Sequence, residues 1–193
     1  MKANVVKTLL LIEDSLGDAR LLREVFNENN AQAIQLTLAQ SMKDAEALLA
    51  TLLFDVILLD LGLPDAQGME AVRRVRLAAP SVPLVVLTGF DDDALASQAL
   101  QEGAQDYLVK GKLDSYGSSR GLMHALRCAV DRKVIEDALF VEKERAEVTL
   151  SSIGEGVICT DSAGDVTFLN AVAEELTGWS KEDAVGRPIG RYE

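Results

Sequence analysis

Five short apolar runs alternate with amphipathic stretches over the first 110 residues, and this alternation constrains the fold more than any other sequence feature. Two runs, DVILLD at 55–60 and PLVVLTG at 83–89, are apolar at consecutive positions, which is typical of parallel strands covered by helices on both faces. The repetition predicts an α/β protein with an open, doubly wound, five-stranded parallel sheet. The predicted strands are Thr8–Ile12, Ile34–Leu38, Asp55–Leu59, Pro83–Leu87 and Asp106–Val109, and the predicted helices between them are Asp18–Asn29, Met42–Leu52, Met69–Ala79 and Asp93–Glu102.

The bulk properties of the chain disfavour several classes of partner. Its 193 residues carry a formal net charge of −12, which argues against nucleic acid because phosphate binding requires a basic surface. No run approaches the roughly 20 apolar residues of a membrane span, and the N-terminal apolar run is too short for a signal peptide. Cys128 and Cys159 match no metal or disulfide spacing. We therefore expect reduced thiols, a cytoplasmic location and no membrane partner.

A long helix is predicted from Ser118 to Ser152, because this stretch lacks proline and has its only glycine, Gly121, near the start. Spacings of four and three residues predict an imperfect coiled coil and homodimerisation through this helix. A solvated connector helix remains the alternative. The two possible seams are Val134, Ala138, Val141, Arg145, Val148 and Ser152, and Ile135, Leu139, Glu142, Ala146, Thr149 and Ile153.

The last segment predicts a small α+β fragment rather than a continuation of the sheet. A hairpin turns at Ser162–Gly164, Asn170 caps a short helix that ends at Gly178, and Ser180 begins another. The predicted domain boundaries are 1–117 for the α/β domain, 118–152 for its last helix and linker, and 153–193 for the fragment.

Polar side chains follow four of the predicted strands, where the carboxyl ends of parallel strands meet at one edge. They are Glu13 with Asp14, then Asp60, Thr88 and Lys110. Three carboxylates cannot remain charged at close range without a cation, and Mg²⁺ prefers oxygen ligands. A carboxylate beside a metal and an ammonium can accept a phosphoryl group as an acyl phosphate.

Residues 5–130 resemble the receiver domain of two-component response regulators, which has a flavodoxin-like fold. The resemblance rests on IED at 12–14, DVILLDLGLPDAQGME at 55–70, VVLTG at 85–89 and GAQDYLVKG at 103–111. It implies that Asp60 accepts phosphate from a histidine kinase or phosphotransfer protein.

The resemblance also implies roles for the residues around the phosphoacceptor. Asp14 would bind Mg²⁺ directly together with the phosphoacceptor, Glu13 through water, and Gly62 through its backbone carbonyl. Thr88 and Lys110 would bind the phosphoryl oxygens. Tyr107 falls at the aromatic switch position of the family, although an ordinary edge-strand aromatic is the alternative.

One position departs from the family pattern. Most receivers follow the lysine with a proline, often in a cis peptide, whereas this sequence has Gly111. A cis bond before a residue other than proline costs about 3 kcal/mol, which leaves the geometry of this peptide open.

Residues 148–189 resemble the beginning of a PAS domain, in VTLSSIGEGVICTDSAGDVTFLNAVAEELTGWSKEDAVGRPI. A full PAS domain is more than twice as long, so no haem or flavin site is implied. Together the two resemblances predict a phosphoacceptor response regulator that is not itself an enzyme. Its linker helix would control a PAS-linked output outside these residues, either a diguanylate cyclase or a histidine kinase. The alternatives are a scaffold that is not phosphorylated and, less favoured, a Mg²⁺-dependent phosphohydrolase with Asp60 as nucleophile.

Overall fold

The computed structural model describes residues 6–28, 34–89, 93–112 and 120–191. The chain divides into two compact units, Met1–Glu136 and Asp137–Glu193, and the division falls inside a long helix. The domain boundaries expected from the sequence, at 117/118 and 152/153, remain predictions.

The strands of unit 1 are β1 (Thr8–Ile12), β2 (Gln35–Ala39), β3 (Val56–Asp60), β4 (Gly62–Leu63), β5 (Ala66–Gln67), β6 (Leu84–Thr88) and β7 (Asp106–Val109). Five of them form a parallel sheet in the order β2-β1-β3-β6-β7. The other two, β4 and β5, form a hairpin that precedes the third helix. The helices are α1 (Leu16–Glu28), α2 (Met42–Leu49), α3 (Met69–Ala78), α4 (Asp93–Gln101) and the first part of α5 (Arg120–Ser152), and a 3-10 turn covers Lys110–Lys112.

Alternate residues of the central strands face two separate cores. Leu10 and Ile57 belong to a cluster that includes residues of α2, α3 and α4, whereas Leu9 and Leu58 belong to a cluster with α1 and α5. Every residue of β3 and β6 is buried, as expected for strands that helices cover on both faces. The predicted doubly wound, five-stranded parallel sheet is therefore confirmed.

The element boundaries differ from the predicted ones by a few residues. The strand β3 ends at Asp60 itself rather than at Leu59. Helix α1 begins at Leu16 instead of Asp18, because the Ser15 hydroxyl accepts a hydrogen bond from the Asp18 backbone N–H at 3.3 Å. Helix α2 ends at Leu49 rather than Leu52. The predicted end of the first helix at Asn29 lies outside the described residues.

The β4–β5 hairpin was not predicted from the sequence. Its turn contains Pro64 and Asp65, a pair that favours tight turns. The Asp65 carboxylate accepts hydrogen bonds from the backbone N–H groups of Met42 and Lys43, at 2.8 and 2.9 Å. These bonds cap the start of α2 from a distant segment and hold the pKa of Asp65 below its usual value.

Unit 2 contains the rest of α5, the hairpin β8 (Ile158–Thr160) with β9 (Val166–Leu169), and the short helices α6 (Ala171–Thr177) and α7 (Lys181–Ala184), followed by a 3-10 turn at Ile189–Arg191. The long helix, the hairpin and the caps expected at Asn170 and Ser180 are present. The buried Asn170 side chain accepts from Val157 N–H and Ala173 N–H, and it donates to the carbonyls of Leu150 and Glu155. One amide thus joins the end of α5, the hairpin and α6.

Among the residues that the structure describes, no helix combines the length and the apolar character needed to cross a membrane.

Candidate functional site

The order of strands brings four polar strand ends to one edge of the sheet. Glu13 follows β1, Asp60 ends β3, Thr88 ends β6 and Lys110 follows β7, and these strands are neighbours in the order β1-β3-β6-β7. Because all of them are parallel, their carboxyl ends meet at the same edge. The convergence predicted from the sequence is therefore present in the fold.

The Lys110 ammonium is the charged centre of this edge. Its Nζ lies 2.6 Å from Glu13 Oε2, 2.8 Å from Asp18 Oδ2 and 2.9 Å from Asp60 Oδ1. The Lys110 side chain is 21% exposed, the Asp60 side chain 10% and the Glu13 side chain 1%. Three carboxylates therefore share one ammonium, and water has little access to two of them, Glu13 and Asp60.

Three acidic residues also form a cluster of suitable size for a cation. Each of Glu13, Asp14 and Asp60 offers a carboxylate oxygen, and these oxygens lie within 4.8 Å of one another. Glu13 and Asp60 are buried and Asp14 is exposed. An all-oxygen set with one open side fits a hard divalent cation that retains some waters, such as Mg²⁺. We refer to these three residues as the acidic cluster.

The local electrostatics reflect the crowding of charge. Burial raises the pKa of Glu13, and the nearby Asp60 carboxylate raises it further, although the hydrogen bond from Lys110 acts in the opposite direction. Burial alone would lower the pKa of Lys110, but the hydrogen bonds to Asp18, Glu13 and Asp60 outweigh it and raise the pKa. Lys110 is therefore a fixed positive charge at neutral pH.

The loop after β3 approaches the Asp60 carboxylate closely. The Gly62 backbone N–H donates to Asp60 Oδ2 at 2.8 Å, so both oxygens of this carboxylate have a partner. A Cβ atom at Gly62 would lie 3.0 Å from the same oxygen, closer than ordinary van der Waals contact. Glycine is therefore the residue that fits here without a shift of the carboxylate.

The two predicted switch residues lie on neighbouring strands. Thr88 is buried at the end of β6 and pairs in register with Val109 of β7. Tyr107 lies on β7, an edge strand of the sheet, and pairs in register with Val86 of β6. Its half-buried side chain packs against the core cluster that includes residues of α2, α3 and α4. These positions fit both the switch hypothesis and the alternative of an edge-strand aromatic.

The peptide between Lys110 and Gly111 is trans, since the described residues contain no cis peptide bond. Gly111 is exposed, and a Cβ there would meet no atom within 4 Å. The position where receivers usually have proline is therefore sterically open.

Asp18 is a member of the site that sequence reasoning missed. It lies in the first turn of α1 and contacts an ammonium 92 residues away. The available signal was its place in the first turn of the helix that follows β1, where a helix also favours an acidic residue. Helix initiation by itself accounts for an acidic residue at this position.

Comparisons with known proteins agree with the fold. Residues 9–115 match the family model for the response regulator receiver domain, and residues 144–193 match the model for the PAS fold. A solved receiver domain, that of the Francisella response regulator 1452, shares 25% identity with a TM-score of 0.55, covering 65% of this chain and 98% of that one.

Two curated relatives are much longer than the part that this chain matches. The Escherichia coli K12 protein described as "Probable diguanylate cyclase DgcE" is 53% identical over 57 residues, which are 30% of this chain and 5% of that protein. The Pseudomonas aeruginosa alginate biosynthesis transcriptional regulatory protein AlgB is 33% identical over 102 residues, 53% of this chain and 22% of that protein. The chain therefore spans less than a quarter of either relative.

The family match covers more than half of the chain, and it includes every strand end of the site described above. The chain therefore belongs to the response-regulator receiver family, and its residues 144–193, which match the model for the PAS fold, follow the receiver domain after a linker.

Proposed function

We propose that this chain is a phosphoacceptor response regulator in which Asp60 accepts a phosphoryl group from a histidine kinase or phosphotransfer protein, with Mg²⁺ as cofactor. The observation that carries this proposal is the contact of 2.9 Å between Lys110 Nζ and Asp60 Oδ1, beside the acidic cluster. An ammonium in this position neutralises charge on oxygens that a phosphoryl group would bring to the carboxylate.

The transfer forms one bond and breaks one bond. A carboxylate oxygen of Asp60 attacks the phosphorus of a phosphohistidine, an O–P bond forms and the P–N bond breaks. The electron pair of the P–N bond returns to the imidazole, which takes a proton from solvent if it leaves as the cation. Lys110 and the Thr88 hydroxyl bind the phosphoryl oxygens in this proposal, and burial of Thr88 at the adjacent strand end supports its assignment.

The cation belongs to the same proposal. Asp14 and Asp60 would ligate Mg²⁺ directly, Glu13 through water and Gly62 through its carbonyl, and the ion would neutralise charge on the transferring oxygens. Support comes from the three oxygens within 4.8 Å and from the closeness of Gly62 to Asp60.

We further propose that phosphorylation acts through Thr88 and Tyr107 on the pairing of α5 in a homodimer. Support comes from exposed apolar side chains along the helix, such as Ile135 at 60%, Leu139 at 69% and Val148 at 66%. Exposed apolar rows of this kind are covered when two helices pair.

The proposed output is a diguanylate cyclase or a histidine kinase linked to the PAS fold. The matched family models are signalling domains, and the similarity to DgcE, over a short stretch, favours the cyclase. The proposal places the chain in the cytoplasm, with which the two free cysteines agree.

The test is an intact mass spectrum after incubation with acetyl phosphate, with and without Mg²⁺, for the wild-type chain and the variant Asp60→Asn. We expect a gain of one phosphoryl group that requires Mg²⁺ and that the variant lacks. Absence of the gain in the wild type would refute the proposal and favour the scaffold alternative. Sustained release of phosphate from a generic phosphomonoester would favour the phosphohydrolase.

A size measurement on the same samples tests the dimer. We expect the phosphorylated chain to elute as a larger species than the unphosphorylated chain. A matched elution volume for both samples would contradict control of helix pairing by phosphorylation.

A further inference from the structure

Asp18 contributes a carboxylate to the Lys110 ammonium without belonging to the acidic cluster. Its Oδ2 lies 2.8 Å from Lys110 Nζ, and its side chain is 42% exposed. It reaches the ammonium from the first turn of α1, whereas the acidic cluster lies on the ends of β1 and β3.

Asp18 differs from Glu13 and Asp60, the other two carboxylates that contact the Lys110 ammonium, because it is not a candidate ligand of the cation. A lysine ammonium has three N–H donors, and here Glu13, Asp18 and Asp60 each accept within 2.9 Å. The acidic cluster contains two of these acceptors, whose oxygens would be shared with a cation. Of the three acceptors, Asp18 is the one outside the acidic cluster, so its bond to Lys110 does not compete with a cation there.

The residue that follows Lys110 has no side chain that could pack against the lysine. The next residue is Gly111, which has open space around its Cβ position and lies in a 3-10 turn. A lysine side chain is flexible, so its charged end is ordered mainly by the acceptors that it meets. The Asp18 carboxylate on α1 supplies such an acceptor.

We propose that Asp18 is a positioning residue of the phosphoacceptor site. It holds the Lys110 ammonium beside Asp60 by accepting one N–H, and the N–H that points at Asp60 is the one that would turn to the phosphoryl oxygens. The expected effect on phosphorylation rests on the proposed function. The position of the Lys110 ammonium does not, and it can be measured separately.

The first test measures how fast the Lys110 ammonium protons exchange with water, by ¹⁵N-detected NMR of the lysine-labelled chain with Mg²⁺. The signal is assigned by its loss in Lys110→Ala. We expect Asp18→Ala to accelerate the exchange by at least about fivefold, because one charge-assisted hydrogen bond is lost. Asp18→Glu should restore slow exchange, since it keeps the carboxylate.

The matched control is Glu24→Ala, which removes an exposed carboxylate from the same helix. Equal exchange rates in Asp18→Ala and the wild type would overturn the proposal, as would the same acceleration in the control. An ammonium signal too fast to observe in the wild type would also overturn it, because the ammonium would then not be held.

The second test measures the rate of phosphorylation by acetyl phosphate at saturating Mg²⁺. We expect Asp18→Ala to be about tenfold slower, because a displaced catalytic group costs rate steeply, and Asp18→Glu to recover most of the loss. An unchanged rate in Asp18→Ala would overturn the role in phosphorylation. A wild-type chain that shows slow ammonium exchange but no phosphorylation would refute the proposed function while leaving Asp18 as the residue that positions Lys110.

Discussion

Replacement of Lys110 by alanine is expected to destabilise unit 1 strongly when no divalent cation is present. The substitution leaves the Glu13 side chain, 1% exposed, and the Asp60 side chain, 10% exposed, without their shared ammonium. Removal of one partner of a fully buried ion pair costs about 3–5 kcal/mol. Because Lys110 is 21% exposed, we expect a loss of about 2–4 kcal/mol in the free energy of unfolding at pH 7.5.

The pH dependence of this loss follows from Glu13. Burial raises the pKa of Glu13 in the folded state, so its favourable contribution is present below the unfolded pKa and is lost as the pH rises through the folded pKa. Without Lys110 only the hydrogen bond from the Ser15 backbone N–H still opposes this effect, and the folded pKa rises further. The destabilisation by Lys110→Ala should therefore be smaller at pH 5 than at pH 7.5.

Hydrogen exchange of the backbone amides of β1 and β3 measures this loss in unit 1 alone. In the regime where exchange reports the opening equilibrium, about 3 kcal/mol corresponds to exchange roughly a hundredfold faster. Mg²⁺ should recover part of the protection, because a bound cation replaces the lost charge. Lys43→Ala is the control, since this lysine is exposed on α2 and uses only its backbone N–H in the bond to Asp65.

The reasoning is refuted if Lys110→Ala and Lys43→Ala exchange at the same rate in a chelator. It is also refuted if the loss is as large at pH 5 as at pH 7.5, because the ionised Glu13 would then not be its cause.

Three further substitutions test other parts of the structure. Gly62→Ala should slow phosphorylation by about tenfold, because its Cβ would crowd Asp60 Oδ2 at 3.0 Å, whereas Gly111→Ala should leave the rate unchanged. Asp65→Ala should cost about 1–2 kcal/mol through loss of the α2 cap, measured as faster amide exchange confined mainly to α2; equal protection there would contradict the capping role. Asn170→Ala should destabilise unit 2 by about 3 kcal/mol or more, since four hydrogen bonds are lost and buried backbone groups lose their partners; an unchanged urea midpoint by fluorescence of the single tryptophan would contradict it.

The sequence by itself determined the sheet and the main composition of the site. The consecutive apolar residues of β3 and β6 predict central strands, because a strand buried on both faces requires apolar side chains at successive positions. Parallel strands present their carboxyl ends at one edge, so Glu13, Asp60 and Lys110 could be brought together from their places in the sequence alone.

Only the tertiary structure decided which side chains meet across long separations. Asp18 contacts Lys110 over 92 residues, and Asp65 caps α2 over 22 and 23 residues. Both carboxylates also satisfy local patterns, a helix start and a turn, so the sequence had a sufficient explanation for each that did not include the distant partner. Hydropathy patterns report which face of an element is buried, whereas the partner of a polar group depends on how the packed elements position it. The identity of the sheet was therefore predictable from periodicity, and the network that holds Lys110 was not.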